Sequence, residues 1–162
     1  MKSYIPTINI SSLLDKNFKS VNAKKTIKKI EKACVEVGFF QITNHGIKKK
    51  NIDDIAKVGK YFFNSSAKNK LKLAPKKWNN LNTNIYRGYF PADVNGKEGL
   101  DIGDLKITKK YALKLKNSYI ECLNLNNAIN KKSIDILSNY FDQAFILGEI
   151  LFKSIIQLYK KD

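Results

Sequence analysis

The strongest constraint on the fold is a long apolar period near the carboxyl end of the chain. From about residue 130 to about residue 160, apolar side chains recur three or four positions apart, on one face of a helix. They are Ile134, Leu137, Phe141, Ala144, Leu147, Leu151, Ile155 and Leu158. The sequence therefore predicts one long helix over about 130–160. Its apolar stripe needs a covering surface, and we expect part of it to be exposed if no further domain covers it.

Helices and strands alternate in the first part of the chain. Residues 5–10 alternate apolar and polar as a half-buried strand does, and residues 39–43, with two phenylalanines, predict a second and largely buried strand. A helix is predicted over 22–37, capped by the asparagine at its start. The Asn-His-Gly turn at 44–46 suits positive backbone dihedrals. A second helix is predicted over 49–63 from its apolar spacing.

Short elements are predicted for the middle of the chain. Ser65 and Ser66 precede a short helix. Five positions of glycine or proline between 86 and 104 indicate short strands and turns, and residues 109–129 are too poorly patterned to predict more than irregular structure. We predict a single α+β domain over 1–162, in which two long helices and the carboxyl-terminal helix flank a few short strands.

The composition excludes several classes of protein. Hydrophobic residues make up 43% of the 162 residues, which is too many for a disordered polyelectrolyte. The net charge is +16, but 29 of the 30 cations are lysines spread along the chain, so we predict no specific nucleic-acid partner and no membrane partner. Cys34 and Cys122 lack metal-site spacing, which indicates a reducing, cytoplasmic location, and Cys34 is expected in the core.

Several segments, taken in order, carry a resemblance to a known family. They are the opening Ile-Pro-Thr-Ile-Asn at 5–9, a helix leading into Gly-Phe-Phe and Asn-His-Gly within 30–47, Phe-Phe at 62–63, Arg-Gly-Tyr at 87–89 and Lys-Glu-Gly-Leu-Asp-Ile-Gly at 97–103. This set resembles the N-terminal domain of the isopenicillin N synthase-like, non-haem Fe(II)/2-oxoglutarate-dependent dioxygenases. The resemblance covers nearly the whole chain.

The resemblance implies an oxidoreductase whose catalytic part is not within these residues. In such an enzyme the strands would extend a double-stranded β-helix, the jelly roll, which holds Fe(II) through a His-x-Asp pair and a distant second histidine. This chain has one histidine, His45, and lacks the later arginine that binds 2-oxoglutarate. We therefore predict no catalytic residue, no metal ligand and no bound cofactor here. Fe(II), 2-oxoglutarate and a small-molecule substrate belong to the full enzyme, and the chain alone is expected to be inactive.

Two residues are candidates for the rim of the substrate site. By resemblance, Arg87 and Tyr89 lie beside the active site of the full enzyme and touch substrate or the jelly roll. The alternative for Arg87 is an ion pair with an acid such as Glu98. His45 is expected to bond to nearby backbone in its turn. The acids Glu98, Asp101 and Asp104 lack the spacing of a calcium loop.

Two other functions remain open from the sequence. The chain could be a non-enzymatic module that binds the jelly-roll domain, in cis or in trans, through the apolar stripe of its last helix. It could also be a basic binder of nucleic acid or anionic lipid, whose affinity would fall steeply with salt. The even distribution of lysines disfavours the second of these.

Overall fold

The computed structural model describes residues 5–74, 88–92, 96–106 and 125–159. Within these residues the chain is α+β, as predicted, with four α-helices and four short strands. The elements are β1 (Thr7–Asn9), α1 (Val21–Glu36), β2 (Gln41–Thr43), α2 (Lys49–Phe63), α3 (Ala67–Leu71), β3 (Gly88–Phe90), β4 (Gly99–Asp101) and α4 (Lys131–Ile156). The contacts divide the chain into unit 1 (Met1–Lys48 with Gln143–Asp162) and unit 2 (Lys49–Asp142).

Unit 1 contains a pair of parallel strands. Strand β1 pairs with β2 so that Ile8 lies opposite Ile42, and the N–H of Gln41 donates to the carbonyl of Pro6 at 2.8 Å. Parallel neighbours need a crossover connection, which is supplied here by α1. Pro6 has no N–H to donate to a strand partner, and the strand begins at the next residue, Thr7.

Helix α1 is defined by capping residues at both ends. Its N-cap is Ser20, whose hydroxyl accepts from the N–H of Ala23 at 3.2 Å, so the prediction of an asparagine cap at Asn22 is wrong by two residues. Gly38 follows the helix with φ of 81°, the left-handed conformation that ends many helices. Cys34 is exposed, because Ala33 beside it takes the inward position, and the prediction of a core cysteine is wrong.

The core of unit 1 lies between α1, β1 and the second part of α4. Its buried residues are Ile8, Ile10, Leu13, Ala23, Ile27, Ile30, Ala33 and Ile150. Leu147, Leu151, Ile155 and Leu158, the second half of the predicted apolar stripe, pack against them. The prediction of a largely buried strand over 39–43 is wrong: the strand covers only Gln41–Thr43, none of the five residues is fully buried, and Phe39 is 72% exposed. Phe40 and Ile42 are partly buried against the core.

Unit 2 is built on α2, which has the predicted limits. Helix α3 is capped by Ser66, whose hydroxyl accepts from the N–H of Asn69 at 3.3 Å. Strands β3 and β4 are antiparallel, with Tyr89 opposite Leu100. The core of the unit contains Val58, Phe62, Leu73, Tyr89, Leu125, Ile129 and Leu137. The predicted helix over about 130–160 is observed as α4, and the side chain of Asn130 accepts from the N–H of Ser133 at its start.

Some predictions lie outside the described residues. These include the irregular structure expected for most of 109–129 and the surroundings of Arg87 and Cys122. Among the helices that the structure describes, none is both long and apolar enough to cross a membrane.

Candidate functional site

Three polar side chains meet in unit 2 and form what we call the Tyr89 cluster: Lys70, Tyr89 and Glu98. The ammonium of Lys70 lies 2.6 Å from Oε2 of Glu98, and the hydroxyl of Tyr89 donates to the same oxygen at 2.8 Å. Tyr89 is 5% exposed, and the side chains of Lys70 and Glu98 are 13% and 32% exposed. Buried and partly buried polar groups need hydrogen-bond partners. In this cluster Lys70 and Tyr89 each have Glu98 as their partner, and Glu98 accepts from both.

Three separate segments bring the cluster together. Lys70 comes from α3, where its ammonium also donates to the carbonyl of Phe63 at 3.2 Å and lies 5.4 Å from the centre of the Tyr89 ring. Tyr89 is the middle residue of β3, and its ring meets that of Phe62 edge to face at 5.9 Å. Glu98 directly precedes β4. The antiparallel pairing of β3 with β4 therefore brings the carboxylate to the tyrosine hydroxyl.

Oε2 of Glu98 is bonded to both Lys70 and Tyr89, and these contacts shift the pKa of all three groups. Hydrogen bonds from Lys70 and then from Tyr89 lower the pKa of Glu98 below its usual value of 4.5. The Glu98 carboxylate raises the pKa of Lys70 above 10.5 and, by accepting from its hydroxyl, raises the pKa of Tyr89 above 10.0. At neutral pH the cluster consequently holds an ammonium, a carboxylate and a neutral phenol.

These pKa shifts predict an acid-sensitive contribution to stability. Because the pKa of Glu98 is lower in the folded chain, its contribution is present above pH 4.5 and is lost as the pH falls through the folded value. Replacing Glu98 by Gln should therefore make thermal stability less dependent on pH in this acidic range. Thermal unfolding followed by circular dichroism at several pH values measures this, with Glu31→Gln on α1 as the control. An unchanged pH profile in Glu98→Gln would contradict the prediction.

The rim candidates have different outcomes. Tyr89 lies in the core of unit 2, and its hydroxyl is engaged by Glu98. Glu98, which the sequence offered as an ion-pair partner for Arg87, pairs with Lys70, and Arg87 itself lies outside the described residues. Sequence reasoning missed Lys70, because its partner is 28 positions away and nothing in the local pattern distinguishes it from the other lysines.

His45 makes the local contact expected of a turn histidine. Its Nδ1 accepts from the N–H of Ile47 at 3.2 Å, and Asn44 and Gly46 on either side have φ of 54° and 82°. The imidazole borders a cavity of about 190 Å3 in unit 1, which is otherwise lined mainly by apolar side chains such as Leu14, Leu147 and Ile150. Among the described residues, no three or more His, Cys, Asp or Glu side chains are grouped so that they could hold a metal ion.

A second surface of interest lies on α4 and the turn that follows it, within unit 1. We call it the outer stripe: Phe145, Phe152, Ile156 and Tyr159, which share one side of the helix and are 60%, 67%, 37% and 81% exposed. From the sequence, exposure was expected on the stripe that contains Leu147, Leu151, Ile155 and Leu158, but these residues are partly buried against the core of unit 1. That expectation is wrong about the face, because this part of the helix is apolar on both sides.

Comparison with known proteins identifies the class to which the chain belongs. The family model described as "non-haem dioxygenase in morphine synthesis N-terminal" matches residues 5–129, which is more than half of the chain. The chain belongs to this family, and the resemblance found in its sequence is confirmed: it is an N-terminal domain of the 2-oxoglutarate/Fe(II) dioxygenase family.

The curated relatives come from several kingdoms of life. The chain is 28% identical to a probable iron/ascorbate oxidoreductase of Dictyostelium discoideum, over 93% of this chain and 44% of that protein. It is 33% identical to a flavonol synthase/flavanone 3-hydroxylase of Solanum tuberosum, over 59% of this chain and 26% of the relative. It is also 31% identical to an isopenicillin N synthase of Streptomyces griseus, over 62% of this chain and 29% of the relative. The chain spans less than half the length of these relatives.

Proposed function

We propose that this chain is the N-terminal part of an oxygenase that uses Fe(II) and 2-oxoglutarate to oxidise a small molecule. The observation that carries the proposal is the family match over residues 5–129, supported by relatives that are named as oxidoreductases, synthases and hydroxylases. When bound, iron and 2-oxoglutarate would supply the oxidising chemistry, with decarboxylation of 2-oxoglutarate coupled to oxidation of the substrate. The two short sheets would extend the jelly roll of the whole enzyme.

The residues of this chain do not fit an iron site. A facial triad needs two histidines and a carboxylate around one ion. The chain contains one histidine, and its Nδ1 is occupied by the backbone N–H of Ile47. In the part of the chain that the structure describes, no suitable group of ligands surrounds it. We therefore assign the metal, 2-oxoglutarate and the catalytic groups to residues outside these 162, and we expect no turnover from them alone.

An anaerobic titration with Fe(II) tests this assignment. We expect only weak binding without a defined stoichiometry, because a single imidazole offers little affinity. The measurement is calorimetry with the 162-residue chain, and His45→Gln is the matched variant. Both proteins should give the same weak heats. Tight one-to-one binding that disappears in His45→Gln would show that an iron site exists here and would overturn the assignment.

The rim role of Arg87 and Tyr89 belongs to the same proposal. The family resemblance of the Arg-Gly-Tyr segment supports it, and the burial of Tyr89 in the core of unit 2 supports a structural contribution from this residue. With its hydroxyl bound to Glu98 and its ring packed on Phe62, Tyr89 would shape the rim rather than contact a substrate through its hydroxyl.

A second candidate is a module that binds a separately encoded catalytic half without chemistry of its own. The outer stripe favours it, because four large apolar side chains on one side of a helix form a surface that proteins usually cover. The same surface would meet the jelly roll in cis if both parts belong to one polypeptide. Co-purification of the chain with a separate jelly-roll protein would support the module, whereas co-translation of both parts as one polypeptide would favour the oxygenase.

A further inference from the structure

Helix α1 carries a positive charge that its own acidic residues do not neutralise. It contains two glutamates and five lysines: Lys24, Lys25, Lys28, Lys29 and Lys32. Within the part of the chain that the structure describes, only Lys32 of these five has an acidic partner, Glu36 at 3.9 Å. The other four lysines are exposed. The helix therefore presents ammonium groups to solvent without carboxylates to balance them.

The two other long helices place acids beside their lysines. One turn after a lysine, α2 and α4 have an aspartate, in the ion pairs Lys49–Asp53, Lys50–Asp54 and Lys131–Asp135 at 2.8, 2.5 and 2.7 Å. In α1 the residue one turn after Lys24 is Lys28, and the residue one turn after Lys28 is Lys32. Like charges at this spacing destabilise a helix. An anionic surface laid along α1 would relieve that repulsion.

Three of these lysines share one line of the helix with two exposed valines. We call this line the α1 stripe: Val21, Lys24, Lys28, Lys32 and Val35. Spacings of three and four place these residues on the same side of a helix. Val21 and Val35 are 68% and 81% exposed, while the opposite side of α1 packs in the core of unit 1. At about 1.5 Å per residue, the stripe is about 21 Å long, with a basic middle and an apolar residue at each end.

We propose that the α1 stripe is a docking surface for an acidic helix of another protein, which has an apolar residue at each end and carboxylates between them. Contacts between two helices packed side by side recur about every seven residues. Val21, Lys28 and Val35 have this spacing. The carboxylates would pair with the lysines, and the apolar residues would cover the valines. The stripe lies on α1, apart from the outer stripe on α4, and the inference does not depend on the proposed function.

The chemistry of the stripe favours a protein over other anionic partners. Helix α1 has no arginine and no aromatic side chain, the groups with which proteins read or stack nucleic-acid bases. Its apolar side is already buried in the core of unit 1, so it cannot enter a lipid surface as an amphipathic membrane helix does. Apolar anchors combined with complementary charge are typical of protein interfaces.

A synthetic peptide of twenty-one residues is the probe for this surface. It has leucine at its fourth and eighteenth positions and glutamate at its seventh, eleventh and fifteenth, which copies the spacing of the α1 stripe, with alanine and glutamine elsewhere. Fluorescence anisotropy of the labelled peptide measures its dissociation constant from the 162-residue chain. We expect Lys28→Glu to bind at least about tenfold more weakly, because like charges then meet at the middle of the contact. This variant should remain folded, since the new carboxylate gains a lysine one turn away on each side.

Lys48→Glu is the matched control for net charge. Lys48 is an exposed lysine of the same unit and lies outside the helices, so this variant should bind the peptide within about twofold of the unmutated chain. The double variant Val21→Ser with Val35→Ser should bind more weakly than the control, which net charge cannot explain. Equal weakening by Lys28→Glu and Lys48→Glu would overturn the proposal. So would unchanged binding by the double variant, or equal binding of a peptide with glutamine in place of its three glutamates.

The other anionic partners are tested with the same variants. Phosphatidylserine vesicles and a single-stranded oligothymidylate should respond to net charge alone, so Lys28→Glu and Lys48→Glu should weaken their binding equally. If vesicles or oligothymidylate lose binding selectively in Lys28→Glu while the peptide does not, the α1 stripe recognises lipid or nucleic acid, and the proposal of an acidic helix is wrong.

Discussion

Replacing Phe62 by Ala should lower the free energy of unfolding by about 3–5 kcal/mol, a large part of the stability of a domain of this size. Phe62 is 2% exposed and belongs to the buried core of unit 2. Its ring meets Phe63 at 5.2 Å and Tyr89 at 5.9 Å, both edge to face. Removing the ring loses the free energy of its burial and leaves a cavity beside the Tyr89 cluster. Tyr89 is held by its hydrogen bond to Glu98, so it cannot easily move to fill the cavity.

The adjacent Tyr61 provides the control for this prediction. Tyr61 is on the same helix and is 62% exposed, so Tyr61→Ala should change the free energy by no more than about 0.5 kcal/mol. Urea denaturation followed by circular dichroism measures both variants, and hydrogen exchange of α2 and β3 locates the effect. A similar loss in the two variants would mean that Phe62 is not at the centre of a packed core.

The parts of this fold that the sequence predicts are those determined by local chemistry. Helix α2 has the predicted limits because its apolar spacing and the serines after it are both local signals. The Asn-His-Gly turn is recognisable for the same reason, since Asn44 and Gly46 tolerate positive φ. The cap of α1 was misplaced because Ser20 and Asn22 are both good caps, and only the chain geometry selects between them.

The parts that the sequence does not predict depend on partners far along the chain. Nothing local indicates that β1 pairs in parallel with β2, which is a contact between residues 34 positions apart. The ion pair of Lys70 with Glu98 is non-local in the same way. The exposed Phe39 has a different cause: a pattern shows that a side chain is apolar, but burial depends on whether another surface covers it.

The outer stripe shows most clearly how periodicity can mislead. The spacing of Leu147 and Leu151 predicts one apolar face of the helix. On the opposite side of the same helix turns, Phe145 and Phe152 repeat with a spacing of seven, which is also a helical period. A helix segment that is apolar on two sides is usually covered on both, so the second face is the surface on which the proposed catalytic half would dock.

A charge placed in the outer stripe should therefore weaken the association of this chain with the catalytic half of the proposed enzyme. Phe152 is 67% exposed, so Phe152→Lys should leave the chain folded, with thermal stability close to that of the unmutated protein. In the assembled enzyme the same lysine would be buried against an apolar surface without a partner charge. The loss at an interface centre of this kind is at least about 2 kcal/mol, or roughly 30-fold in affinity.

The measurement is the dissociation constant between this chain and the jelly-roll half, expressed as two polypeptides. Val35→Lys is the matched control: it introduces the same charge in the same unit at an 81% exposed position on the lysine-rich face of α1. We expect Val35→Lys to bind like the unmutated chain and Phe152→Lys to bind at least about 30-fold more weakly. If both variants weaken binding equally, the added positive charge alone explains the loss. If Phe152→Lys does not weaken binding, the outer stripe is not part of the interface. A selective loss would mean that the long carboxyl-terminal helix joins the two halves through its second apolar face.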